Sequence, residues 1–129
     1  DGVVISVVSH FPNTPIVAEG EADCAASDLR GKHIIIRHSK HEYSMIAHLL
    51  PNSPCVQKGD RVSRGQVIAK CGNSGNTSEP HIHFQIQYGK SFEISAGLPI
   101  LFTHIVVDGK KMPEGFITKG HYVENDSLI

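Results

Sequence analysis

Gly72-Asn73-Ser74-Gly75-Asn76-Thr77-Ser78-Glu79-Pro80 runs directly into His81-Ile82-His83-Phe84-Gln85-Ile86-Gln87, a turn-rich approach followed by an alternating segment. Alternation of this kind specifies a β-strand, in which successive side chains point to opposite faces. Ile82, Phe84 and Ile86 are thus expected on a core-packed face, with His81, His83, Gln85 and Gln87 sharing the other. Two imidazoles then project the same way from Cα atoms about 6.5 to 7 Å apart, within reach of one metal or catalytic site. The chain has 9 histidines in 129 residues, so about one His-x-His pair is expected by chance and the pair needs its context.

The segment before it is the most patterned in the chain. Gly59-Asp60-Arg61-Val62-Ser63-Arg64-Gly65 reads as a tight turn leading into a strand over 66–71, with Val67, Ala69 and Cys71 on one side. Further upstream, His33 to His38 and Tyr43 to Leu49 read as two strands of a hairpin turning at Ser39 to Glu42. His48 falls near the end of the return strand, on the face opposite Met45 and Ala47. Val3 to Val8 is a β-branched run read as a buried strand. Between it and the hairpin, Ser9 to Gly31 has no periodicity and reads as a long functional loop, within which Ala22 to Arg30 could form a short helix. Past the histidine strand, Tyr88 to Gly97 is a loop, 100–107 a strand, Asp108-Gly109 a turn, and the remainder an irregular tail.

These units specify a mainly β fold: a compact antiparallel β-sandwich or sheet of hairpins with long loops and little helix. The length suits a single domain over residues 1–129, in which 88–129 forms a less well-defined C-terminal extension. Hydrophobic residues make up 40%, charged residues 19%, and the net charge is −1 with histidines neutral. That balance offers no basic field for nucleic acid, and no apolar run is long enough for membrane insertion. Cys24, Cys55 and Cys71 are odd in number and lack Cys-x-x-Cys spacing, which argues against a disulfide framework or a cysteine zinc site. Cys55 and Cys71 read as buried free thiols, and a bridge from Cys24 stays open.

Taken in order, Asp1-Gly2-Val3-Val4, Ala47-His48-Leu49, Gly59-Asp60-x-Val62-x-x-Gly65-Gln66-Val67-Ile68, Gly72-Asn73-Ser74-Gly75 and Pro80-His81-Ile82-His83-Phe84 closely resemble the lysostaphin/LytM-type zinc metallopeptidases. The resemblance extends from residue 1 to about Gln87. It implies a duplicated-hybrid-motif fold, a zinc cofactor, hydrolysis of peptide cross-links in bacterial peptidoglycan, and an extracytoplasmic location. By position it implies that His83 is a zinc ligand, while His48 and His81 stand beside the metal-bound water as catalytic residues. Such relatives take two further ligands from a His-x-x-x-Asp segment before the first strand, which residues 1–129 do not include. The expectation is therefore a peptidase domain incomplete at its N-terminus, or else a non-catalytic binding or regulatory module of the cell envelope. His10, Glu19, Glu21 and Asp23 have no spacing that favours a shared metal. His33, His38, His41, His104 and His121 read as surface or edge side chains. A biotinyl- or lipoyl-type carrier shares the Gly-Asp-x-Val-x-x-Gly element but needs a lysine at a hairpin tip flanked by methionines, and only Lys111 adjoins a methionine.

Overall fold

The computed structural model describes residues 1–9 and 28–126. Most of the 9–31 loop, the possible helix up to residue 27, and His10, Glu19, Glu21, Asp23 and Cys24 lie outside the described residues. Among the described residues nine strands follow in order: β1 (Gly2–Val8), β2 (His33–Ser39), β3 (Glu42–Ala47), β4 (Arg61–Val62), β5 (His83–Gln87), β6 (Gly97–Leu98), β7 (Phe102–Val107), β8 (Lys110–Gly115) and β9 (Val123–Asn125). The chain divides into two compact units, Asp1–Leu98 and Pro99–Ile129. The fold is mainly β and antiparallel, as the alternation requires.

In the first unit the strands form one sheet in the order β4-β1-β2-β3-β5-β6. The β-branched run Ile34-Ile35-Ile36 supplies side chains to both faces of this sheet, which explains its lack of polar alternation. Val4, Ile34, Ile36, Leu49 and Val62 form a buried cluster with Ile46 and Ile68 packed against it. Ile35, Met45 and Ala47 form a second cluster, joined by Ile5 and Phe92. Ile34, Met45 and Leu49 are fully buried, each contributing about 1.5–3 kcal/mol by removal from water.

The strand expected over 66–71 is absent. Pro51 and Pro54 lie opposite it and have no backbone N–H to give a ladder. Isolated bonds replace one: Leu50 N–H donates to the Lys70 carbonyl and Cys55 N–H to that of Ile68, both at 2.9 Å. Val67 is consequently 74% exposed, and Cys55 and Cys71 are exposed rather than buried thiols.

The histidine strand is also shorter than its alternation suggests. β5 starts at His83, and His81 pairs with Gly72 through an isolated bridge. Phe84 and Ile86 do share a face with Ile36, Ile46 and Ile68, but they line an open groove rather than a closed core. Ile82 and Phe84 remain 43% and 41% exposed. On the opposite face, the one shared by the histidines, Gln87 has no exposure at all.

The second unit is a three-stranded sheet in the order β8-β7-β9. The tail read as irregular thus contains two strands, because Asp108-Gly109, both at positive φ, make the turn that returns β8 along β7. Lys111 lies within β8, ion-paired with Asp126 at 3.1 Å, and not at a hairpin tip as a carrier requires.

Candidate functional site

The β3–β5 register sets Ala47 opposite His83. Immediately beyond Ala47, His48 adopts a left-handed backbone with φ of 61°. A side chain at such a position leaves the strand's alternation. His48 therefore joins Met45, Ala47 and His83 around one small cleft of about 140 Å³, instead of lying on the face opposite Met45 and Ala47. Two backbone bonds fix the turn: His48 N–H donates to the Arg30 carbonyl at 3.1 Å, and its carbonyl accepts from Gly72 N–H at 3.0 Å. Because Gly72 also bridges to His81, one backbone contact aligns the third histidine with the other two.

The three imidazoles meet. The ring centroids of His48 and His81 are 4.6 Å apart with planes inclined at 46°, and those of His48 and His83 are 5.9 Å apart edge to face. His48 Nδ1–H donates to the Ser74 carbonyl at 2.7 Å. His81 Nδ1–H donates to the Glu79 carbonyl at 2.7 Å, with Thr77 Oγ1 at 3.1 Å. A carbonyl can only accept, so each ring, when neutral, carries its proton on Nδ1 and keeps the lone pair of Nε2. His83 differs, donating Nε2–H to Gln85 Oε1 at 2.8 Å.

Burial, opposed by the Ser74 hydrogen bond and reinforced by the neighbouring His81 and His83, lowers the pKa of His48 below the ordinary histidine value. The ring is therefore neutral, and able to accept a proton, at neutral pH.

Ser74 secures this arrangement from below. Fully buried, its hydroxyl accepts from Lys32 N–H at 2.9 Å and donates to the Leu49 carbonyl at 3.0 Å. The backbone around it crosses Gly31, and a Cβ on either Gly31 or Gly75 would overlap the other strand of the crossing; both glycines are at positive φ. Gly72 needs no positive φ; there a side chain would strike the backbone of Leu50.

The cleft wall facing the histidines is built by Leu29, Arg30 and Phe92. Asp28 accepts from Arg30 Nε at 2.9 Å and Nη2 at 2.7 Å, and the guanidinium carbon lies 5.4 Å above the Phe92 ring. Nothing in residue spacing pointed to Asp28, Arg30 or Ser74. Gln85 and Gln87 could have been found, since they share the histidine face by simple alternation.

Of the other histidines, His33 is buried, not at an edge, and its Nδ1–H donates to the Gly31 carbonyl at 2.8 Å. His38 donates Nδ1–H to the Asp1 carbonyl at 2.7 Å and accepts from Ser44 Oγ at 2.8 Å. His41 stacks on Tyr88 at 4.5 Å.

This chain belongs to Peptidase family M23, whose family model matches residues 2–94. It is similar to the peptidoglycan DD-endopeptidases ShyA and ShyC of Vibrio cholerae, with 30% identity over 76 residues and 33% over 75. Those matches cover 57% and 56% of this chain and 17% of each relative. A further relative, an NlpD/LppB homolog from Buchnera aphidicola, is 37% identical over 58% of this chain and 22% of its own. The chain thus spans roughly a fifth of the length of these curated relatives. Among solved structures, a zinc-containing peptidase from Vibrio cholerae is 31% identical, with a TM-score of 0.48, over 67% of this chain and 21% of that one.

A family metal can be weighed against the residues present. His83 offers an imidazole nitrogen of suitable chemistry, but among the described residues no group of three or more His, Cys, Asp or Glu side chains gathers to hold a metal ion. The described residues therefore do not complete a zinc site.

Proposed function

We propose that this domain is the histidine-bearing part of a zinc-dependent endopeptidase that hydrolyses peptide cross-links of bacterial peptidoglycan, acting outside the cytoplasm. The observation that carries the reading is the gathering of His81 and His83 around His48, which lines the cleft with His83, with the Nδ1–carbonyl bonds of His48 and His81 leaving each neutral ring its Nε2 to accept a proton. Family membership and the names of the Vibrio cholerae relatives support the substrate class. His48 and His81 are the catalytic residues: one neutral Nε2 takes the proton of the attacking water, and the resulting imidazolium supplies a proton to the departing amine. The paired rings also favour the oxyanion while either is charged. His83 is the residue of this chain that would hold zinc, whose contribution when bound is to polarise the scissile carbonyl and acidify water.

Metal analysis of the intact protein tests this. One zinc per chain, with cross-link cleavage that chelation abolishes and zinc restores, is the expected result. Folded protein with neither zinc nor chelator-sensitive cleavage overturns it.

A non-catalytic cell-envelope module is the second reading, favoured by the absence of a three-ligand group among the described residues. It requires that His48→Ala and His83→Ala leave cellular function unchanged.

A further inference from the structure

We infer that Gln85 and Gln87 are positioning residues that, anchored on the Gly89 carbonyl, fix His83 in the tautomer with Nε2 protonated and Nδ1 bare. Along one face of β5 and just past it, three hydrogen bonds run in series. His83 Nε2 lies 2.8 Å from Gln85 Oε1, Gln85 Nε2 lies 2.7 Å from Gln87 Oε1, and Gln87 Nε2 lies 2.8 Å from the Gly89 carbonyl oxygen. The direction is set at the far end. A backbone carbonyl only accepts, so Gln87 must turn its NH2 toward Gly89 and its oxygen toward Gln85. Gln85 must then give its NH2 to Gln87 and its oxygen to His83, which leaves His83 Nε2 as the donor. Reversing any member sets two acceptors against each other.

Glutamines alternating on a strand are ordinarily a solvated polar face. Here the innermost one is fully buried, so water cannot replace a misdirected bond and the penalty for reversal is retained. Backbone carbonyls fix the other two histidines in the opposite sense, with Nδ1 protonated. The site thus presents two Nε2 lone pairs and one Nδ1 lone pair. The hydrogen bond on one imidazole nitrogen decides which nitrogen is offered to a ligand. The consequence for metal binding rests on the proposed role of His83 as a ligand, whereas the tautomer does not.

The test is long-range proton–nitrogen correlation spectroscopy on intact, metal-free protein labelled with nitrogen-15 histidine, at mildly alkaline pH. Wild-type His83 should show protonated Nε2 and bare Nδ1. Gln85→Met and Gln87→Met should shift Nδ1 toward the protonated position as the tautomers mix. Gln87 is buried, so if its variant does not fold, the wild-type tautomer and Gln85→Met decide. A wild-type His83 protonated on Nδ1, or a folded Gln85→Met protein with an unchanged His83 pattern, overturns the relay. Zinc titration separates the two ideas: Gln85→Met should bind about 10–100-fold more weakly than wild type. The expected tautomer in a wild-type protein that binds no zinc upholds the relay and removes His83 as a ligand.

Discussion

His48 and His81 stand 4.6 Å apart between ring centroids, and each gives its Nδ1 proton to a backbone carbonyl, that of Ser74 or of Glu79. Two imidazoles in contact and held in the same tautomer act as one unit, since charge on the His81 ring disfavours charge on His48. Their contributions to catalysis are therefore expected to be non-additive. His48→Ala and His81→Ala should each lower kcat by about 10²–10⁴-fold, and the double variant should fall well short of the product. Steady-state kinetics on the three proteins checks this.

Gly75 should tolerate no side chain. A Cβ there meets the Gly31 backbone, and the residue holds φ of 84°. Gly75→Ala is expected to cost about 2–4 kcal/mol in urea unfolding, and to weaken His48 function in whatever protein remains folded, since Ser74 is displaced with it.

Ser74→Ala separates stability from chemistry. It leaves Lys32 N–H without its hydroxyl acceptor in a buried place, an expected cost of about 1–3 kcal/mol. The bond to His48 comes from the main chain, so the His48 tautomer should be retained, as its nitrogen shifts would report.

Asp28 gives a pH dependence whose sign is determined. The bidentate Arg30 partner, acting against partial burial, lowers the Asp28 pKa below its usual 3.8. The carboxylate thus contributes stability that is complete above that value and lost as pH falls through the lower folded pKa. Asp28→Asn should remove about 1 kcal/mol at neutral pH and flatten the stability profile at pH below about 4. Chemical denaturation across pH measures it.

Val67 and Met45 test the packing. Val67, 74% exposed, should accept Val67→Ser within about 0.5 kcal/mol, whereas fully buried Met45 should lose about 2–5 kcal/mol in Met45→Ala.

β-branched runs made β1 and β2 legible, and alternation made β3 and the histidine segment so. The strand read over 66–71 shows the limit of that signal. Its alternation is real, but the partner segment contains Pro51 and Pro54, and pairing is a property of two segments rather than one. His48 failed in a related way. Parity placed it opposite Ala47, while one left-handed residue turned it into the cleft, and no side-chain pattern encodes a backbone φ. The grouping of His48, His81 and His83 was legible from family motifs. Ser74 and the Asp28–Arg30 pair were not, since their roles arise where distant segments cross.

The central claim is that this histidine cleft catalyses cross-link hydrolysis. Its most direct measurement is digestion of purified, cross-linked peptidoglycan fragments by the intact zinc-supplied protein and by its His48→Ala variant, followed by mass spectrometry. Conversion of cross-linked dimers to monomers by the wild type, at least about 100-fold slower in the folded variant, is the expected result. No conversion by the folded, zinc-loaded wild type, or equal conversion by both proteins, would contradict it.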